Sequence, residues 1–401
     1  VNKPLVALMS AVALSPTLAA AQAALAVAAP VESPASSESP TSVVSSPGVQ
    51  LSVSGYVRTL FSTVFDSPSD SDFIGQYDGF QMADARLKVD ARRGASRVHV
   101  ALDGAVDHRA SDNTAQGEID ARLTEAFVEH AIVDGYLKLT AGQFEAPFDA
   151  EEETSTEDLV FTDHAVESRG VKGVEGYNLD GLSLDYQVGV MLSSDPLYFG
   201  PGADSGSGFG LAYSVAATNG NAARDAQNDN DALAYTARLS LMYGPWVTLG
   251  AGYHHNELTT GAPPDRLTLR RDAMAFDLRA SAYGVHVLGQ FVTQSDDVVE
   301  VKAEPSIDAR GYHAQIWFDA PYGLTPGYRF ARLDPTVGVD AQDPIAAERI
   351  DTDAITVHTV GLSAALPDEV LTVKVNYNVV LEDKARVVDN DRVDLLFQGA
   401  F

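Results

Sequence analysis

A two-residue period runs through this chain from Leu51 onward for about 350 residues, with almost no helical spacing to interrupt it. In "LSVSGYVRTLFSTVF" the apolar positions Leu51, Val53, Val57, Phe61 and Phe65 alternate with Ser52, Ser54, Arg58 and Ser62. "ARLKVDAR" sets Ala85, Leu87, Val89 and Ala91 against Arg86, Lys88, Asp90 and Arg92. "LSLDYQVGVML" sets Leu182, Leu184, Tyr186, Val188 and Val190 against Ser183, Asp185 and Gln187, and "AYTARLSLMY", "MAFDLRASAY" and "VLTVKVNYNVV" repeat the dyad. In the final "RVDLLFQGAF", Val393, Leu395, Phe397, Gly399 and Phe401 share one side, with Asp394, Leu396 and Gln398 on the other. Strands of roughly ten residues with one greasy and one charged face are what a membrane barrel with a wet interior requires. A soluble sandwich of this size needs buried faces richer in Ile, Leu and Phe than these Ala/Val/Gly strands.

The connections alternate in length. Short ones are "RGAS", "DG" (134–135), "NLDG" (178–181), "GP" (244–245), "G" (284), "APYG" and "PDE"; long ones are acidic and rich in Gly, Pro and Asn, at 66–78, 109–118, 146–167, 258–269, 296–307, 335–353 and 382–390. Outer-membrane barrels have short periplasmic turns and long outer loops. The expectation is therefore an all-β transmembrane antiparallel β-barrel of about sixteen strands over 51–401, with N and C termini periplasmic. "FGLAYSVAATNG" (209–220) reads as a strand but has long connections on both sides, so 194–230 is taken as one outer excursion with 209–218 folded inside it. Tyr136, Tyr177, Tyr243, Trp246, Tyr283 and Tyr322 cluster at the short turns, the headgroup level that amphipathic rings favour. In a closed barrel the last strand pairs with the first, which fixes Phe401 by hydrogen bonds at the inner rim of the lipid-facing band.

Composition narrows the function classes. The chain of 401 residues has 27 Lys plus Arg against 56 Asp plus Glu, a formal charge of -29, which argues against nucleic acid and against a polybasic membrane contact. Cysteine is absent, which removes disulfides, thiol catalysis and thiolate metal sites. In "VNKPLVALMSAVALSPTLAAAQA", Lys3 precedes an apolar run from Leu5 to Leu14 and the small-residue pattern Ala21-Gln22-Ala23, the layout of a bacterial signal peptide over 1–23. Pro4, Pro16 and Gln22 break the same stretch as a helical anchor. Residues 24–50 are a Pro/Ser/Ala linker, expected to be disordered.

Specific stretches then resemble a family. "GQFEAPFDAEEETSTEDLVFTDHAVESRGVKGVEGYNLDGLSLDYQVGVM" (142–191) is similar to the bacterial phosphate/polyphosphate-selective porins (porin O/P type), in its Gly-x-Phe-x-x-Pro-Phe, its acidic loop and its Gly-Val strand. "GYHAQIWFDAPYGLTPGYRFARLD" and "HTVGLSAALPDEVLTVKVNYNVV" resemble late hairpins of that family. The resemblance implies a sixteen-stranded homotrimeric outer-membrane pore. A terminal Phe on an amphipathic strand, here Phe401, also resembles the signal read by outer-membrane assembly machinery. Phosphate selection in the family rests on lysines and an arginine ladder, whereas this chain has seven lysines, so those residues are not carried over.

The candidate site is the third long loop, 146–167, placed where general porins fold a loop into the lumen. Its carboxylates Asp149, Glu151, Glu152, Glu153, Glu157 and Asp158 would raise local cation concentration at a constriction; alternatively the loop is a solvated outer loop. Arg58, Arg86, Lys88, Arg238, Arg279 and Arg329 alternate with apolar neighbours, so they point into the lumen, either as a basic wall opposite the acidic loop or paired across strands with Asp84, Asp90, Asp103, Asp107 and Asp277. "DAQNDND" (225–231) lacks the turn Gly and bidentate Glu of a calcium loop, and His254 and His255 point to opposite faces, so no metal and no cofactor is expected. No Ser, His and Asp set reads as a triad. The leading expectation is a passive, cation-preferring diffusion pore for small polar solutes in outer-membrane lipid. An anion-selective pore like the resembling family, a plugged structural or adhesive barrel, and a barrel hydrolase are the alternatives.

Overall fold

The computed structural model describes residues 41–46, 48–64, 78–105, 120–172, 178–220, 228, 230–260, 266–299, 306–338, 354–366, 370–383 and 390–401. The expected signal peptide (1–23), most of the linker, much of the long outer connections, Asp107, Tyr177 and most of the 225–231 stretch lie outside the described residues. The described chain is mostly strand: β1 (Thr41–Ser46), β2 (Val49–Val64), β3 (Gly79–Arg93), β4 (Ser96–Ala105), β5 (Asp120–Val133) and β6 (Leu137–Glu145) come first. After a long inserted segment holding the small strands β7 (Gly170–Lys172) and β8 (Asn178–Asp180) follow β9 (Tyr186–Ser193), β10 (Leu197–Phe199), β11 (Phe209–Thr218) and β12 (Ala234–Tyr243). Four long strands come next, β13 (Val247–Thr260), β14 (Leu267–Ala282), β15 (Val285–Val298) and β16 (Ile307–Phe318). The last are β17 (Leu324–Asp334), β18 (Ile355–Ala365), β19 (Leu371–Glu382) and β20 (Arg392–Ala400).

Leaving aside β1, β7, β8 and β10, these strands form a closed antiparallel barrel of 16. Closure is made by β20 on β2, from Tyr56↔Ala400 to Val64↔Arg392. Phe401 completes the seam: its N–H donates to the Gly55 carbonyl (2.9 Å), and the Gly55 N–H donates back to its carbonyl (3.1 Å). A sheet without an edge leaves no ladder groups unpaired, which is the condition for crossing hydrocarbon with strands. No helix among the described residues is long and apolar enough to cross a membrane.

Solvation is inverted, as the dyad requires. Val57, Leu87, Leu239, Phe276, Val360 and Phe397 are exposed on the outside, whereas Arg58, Asp277, Gln290, Thr359, Asn376 and Asp394 are buried inside. Tyr136, Tyr243, Trp246, Tyr283 and Tyr322 are exposed at the short turns, as a headgroup-level girdle should be.

Three boundaries differ from the expectation. First, Thr41–Ser46, expected as unstructured linker, pairs with the start of β2 (Thr41↔Val53 to Ser46↔Val49) just beyond the point where β20 ends, so the hairpin prolongs the closing seam. Second, 209–218 is a complete barrel strand, paired with β9 on one side and β12 on the other, so 194–230 is not one outer excursion. Residues 194–208 lie at the short-turn rim instead: the Asp195 N–H donates to the Gly135 carbonyl (2.9 Å) and the Gly244 N–H to the Gly208 carbonyl (2.9 Å). Third, "NLDG" is no barrel turn, because β8 pairs with β7 in a separate two-stranded sheet. One strand too many was expected before Leu182 and one too few after Ser193, so the two displacements cancel in the strand count.

Leu239 lies midway along β12 with its side chain outside. Leu239→Arg is expected to cost about 2–4 kcal/mol of folding free energy in lipid vesicles, while Ser240→Arg on the inner face of the same strand costs far less. Urea titration of the two variants refolded into vesicles measures the difference.

Candidate functional site

The segment between β6 and β9, residues 146–185, folds inward instead of extending outward, and it is longer than the expected 146–167. Its backbone is held by side chains that the strand dyad aims into the lumen. Arg238 on β12 donates to the Phe148 carbonyl (3.0 Å), Arg279 on β14 to the Ala150 carbonyl and to Thr154 Oγ1 (2.7 Å), and Gln290 on β15 accepts from the Glu151 N–H (2.9 Å). Arg329 on β17 donates to the Asp163 carbonyl (2.9 Å), Lys374 on β19 to the Leu159 carbonyl, Gln398 on β20 to the Glu157 carbonyl (2.9 Å) and Arg58 on β2 to the Thr162 carbonyl. Asn376 pairs with the Thr162 hydroxyl at 2.8 Å. Loop carbonyls with no ladder of their own thus find partners on the wall.

Apolar contacts add a second attachment. Phe148, Ala165, Val166 and Leu182 of the loop form one buried cluster with Ala273, Ala275, Val292, Ala309, Ala331, Leu333, Ile355 and Val380 of the wall. Each large side chain buried this way contributes on the order of 1.5–3 kcal/mol. Phe161 is seated on paired glycines: Gly327 and Gly361 face each other on β17 and β18, and a Cβ on Gly361 would come within 2.8 Å of the ring. The Arg329 guanidinium lies over that ring, 4.7 Å from its centroid.

The six loop carboxylates divide by environment. Asp149 is buried, accepting from Ser183 Oγ (2.6 Å) and the Glu152 N–H (2.9 Å), and burial pushes its carboxyl above the ordinary range. Glu151 is buried, accepts from the Ala165 N–H (3.0 Å) and lies 3.8 Å from Arg329. Glu152 is buried against Arg169 of the one-turn helix α1 (Val166–Arg169), 3.1 Å away. Glu157 meets Lys88 at 2.5 Å and is half-buried. Glu153 and Asp158 are exposed to the remaining lumen, Glu153 with Arg238 at 3.0 Å.

The basic residues do not stand as a wall opposite an acidic loop. Five of them, Arg58, Lys88, Arg238, Arg279 and Arg329, touch the loop itself. Arg86 instead pairs with Asp103 (2.9 Å) and lies over the Tyr56 and Tyr186 rings. Cross-strand pairing also holds for Arg58 with Asp84 (3.0 Å) and Arg238 with Asp277 (2.8 Å). The reason is steric: a loop lying on the wall brings its carboxylates and carbonyls within reach of the cations already there, and buried charge without a partner is too costly to leave. His254 and His255 do point apart, His254 inward to Thr236 (2.9 Å) and His255 outward to Asp272 (2.9 Å).

Several residues in this contact gave no sequence signal as site residues: Gln290, His313, Lys374, Asn376 and Gln398 look like any other inward polar position. One available signal is local loss of the dyad. "AMAF" (273–276) is apolar on both faces, and there the wall has a loop to pack against.

Comparison with solved structures agrees with this architecture. The chain is similar to an anion-selective porin from Comamonas acidovorans (12% identity, TM-score 0.56, covering 88% of this chain and 100% of that one). It is similar to OmpF of Salmonella typhi solved with daunomycin (10% identity, TM-score 0.57, 88% and 98%) and to the outer membrane channel DcaP of Acinetobacter baumannii (13% identity, TM-score 0.55, 90% and 99%). At such identities the likeness is one of fold. No protein-family model and no curated protein matches the chain, so the resemblance to phosphate-selective porins rests on the quoted motifs.

Filling the Phe161 seat tests whether the loop narrows the lumen. Gly361→Val should lift Phe161 and raise conductance in planar bilayers about twofold, while barrel stability in vesicles changes by less than the roughly 3–5 kcal/mol that a lost core aromatic costs.

Proposed function

We propose that this chain is an outer-membrane porin, a passive diffusion channel for small polar or ionic solutes whose passage is set by the inward loop 146–185. The observation that carries this reading is the loop itself: it is attached to the inner wall from β12 around to β3, through Arg238, Arg329, Lys374 and Lys88, and leaves exposed carboxylates facing the space beyond. A wet cylinder crossed by such a ledge sieves by size and by local field, and it needs no chemical step. The signal peptide over 1–23 supplies the export route, the short-turn rim and both termini lie in the periplasm, and the strand ending at Phe401 is the handle for outer-membrane assembly machinery. A homotrimer is what the resemblance to phosphate-selective porins implies.

Selectivity is mildly for cations. Glu153 and Asp158 are the exposed carboxylates of the run 150–158, and at the loop's free edge they are the ones that passing ions meet. Asp149, Glu151 and Glu152 are buried and act on the loop's attachment more than on passing ions.

Reversal potential under a salt gradient in planar bilayers tests both statements. Open steps with a cation-side reversal are expected; Glu153→Gln with Asp158→Asn should lower the cation/anion permeability ratio about twofold. Glu151→Gln should leave the ratio nearly fixed while changing the step size. A purified chain that inserts without any conductance would make this a plugged structural barrel instead.

A further inference from the structure

We propose that His313 is a positioning residue that holds both arms of the inward loop on the wall, and that the charge on its ring decides whether the loop stays docked. The proposal rests on the porin reading above. His313 projects inward from β16 and is completely buried. Its Nδ1 is hydrogen-bonded to Glu167 Oε1 on the returning arm, and its Nε2 lies 3.8 Å from Glu151 Oε2 on the outgoing arm. One imidazole therefore faces a carboxylate from each arm. The seat is shaped for this contact: Gly311, two residues before His313 on the same face of β16, would place a Cβ 2.3 Å from the Glu167 Cβ. The two arms are joined nearby, where the Ala165 N–H donates to Glu151 Oε1 (3.0 Å), and the returning arm folds back on itself through the Leu182 N–H on the Glu167 carbonyl (2.7 Å).

Charge arithmetic gives the direction. Around His313 stand Glu151 and Glu167 from the loop and Arg329 from β17, 3.8 Å from Glu151. Gln290, directly opposite on β15, carries no charge. His164 lies 3.8 Å from Glu151, and Asp163 meets Arg329 through its carbonyl. With an imidazolium at 313, two carboxylates face two cations and the buried site is neutral. With a neutral imidazole, two carboxylates share one guanidinium in a buried site, and the docked state loses its balance. Docking is then fully present while the ring is protonated and is lost as pH rises through its titration. His164 differs in place: it sits on the loop itself, three residues before Glu167, and not on the barrel wall.

The experiment uses the full chain in planar bilayers at fixed salt, stepped from about pH 6 to about pH 10. Conductance should climb about twofold with pH in the native chain, stay high at every pH in His313→Gln, and stay low at every pH in Glu167→Gln, where one carboxylate fewer balances a neutral ring. His164→Gln should titrate like the native chain. A flat native profile, or a His313→Gln variant that still titrates, overturns the proposal. Because the chain has no cysteine, a spin label on Asp158→Cys reads loop mobility directly in the same pH series. Increased mobility at high pH in vesicles supports the latch even if no channel conducts, and immobility throughout sinks it, so the two readings fail separately.

Discussion

Everything in this molecule follows from satisfying the backbone without water. A strand that crosses hydrocarbon can place its N–H and C=O groups only on its neighbours, so the sheet must close on itself. The seam shows how much depends on the closure: β2 pairs with β1 over its first residues and with β20 over the rest, and the exchange falls between Val53 and Gly55, where Phe401 takes its place. Once closed, the pleat sends alternate side chains into two solvents, and one register assigns Leu239 to lipid and Arg238 to the lumen.

The inward loop lives in a different medium from either. Its upper attachment is apolar, made where β18 begins at Ile355 and β19 ends near Val380, at the long-loop rim. Its other attachments, further down the strands, are charged and polar at Arg238, Arg329 and Lys374, with Phe161 packed beside them on Gly327 and Gly361.

How much of this the sequence discloses depends on which rule carries the information. Parity is a local property, so the inward placement of Arg58, Arg86, Arg238, Arg329 and Asp394 can be read directly. Connectivity is less local. The pattern through Leu182 and Leu184 imitates a lipid-facing dyad, but Leu182 is buried with Val166 inside the barrel. The true strand at 209–218 was displaced because 194–208 is long for a turn at the short rim; it contains β10, which continues the line of β9 along β11. Pairing partners are less local still. Lys88 and Glu157 are 69 positions apart, Arg58 and Thr162 104, and no period links them. Which carboxylates remain exposed could therefore not be read from the charge run "AEEETSTED", in which only Glu153 and Asp158 do.

The use of buried ion pairs as the attachment calls for a reason, since an apolar contact of equal volume would often hold a loop better. The barrel has to exist before the loop can dock, and the wall beneath the loop is then a wet surface. Arg58 and Arg86 already have Asp84 and Asp103 on neighbouring strands, and Arg238 has Asp277 across the intervening β13, so the undocked wall is paired and solvated without the loop. Docking adds Glu153 to Arg238 and the Thr162 carbonyl to Arg58 without first exposing an unpaired charge. Lys374, which meets only loop carbonyls among its hydrogen bonds named above, and His313, which needs two loop carboxylates, are different: their burial has to be compensated by the loop itself. The wall therefore contains two kinds of polar contact, one that tolerates the loop's departure and one that resists it, and the position of the loop is decided by the second.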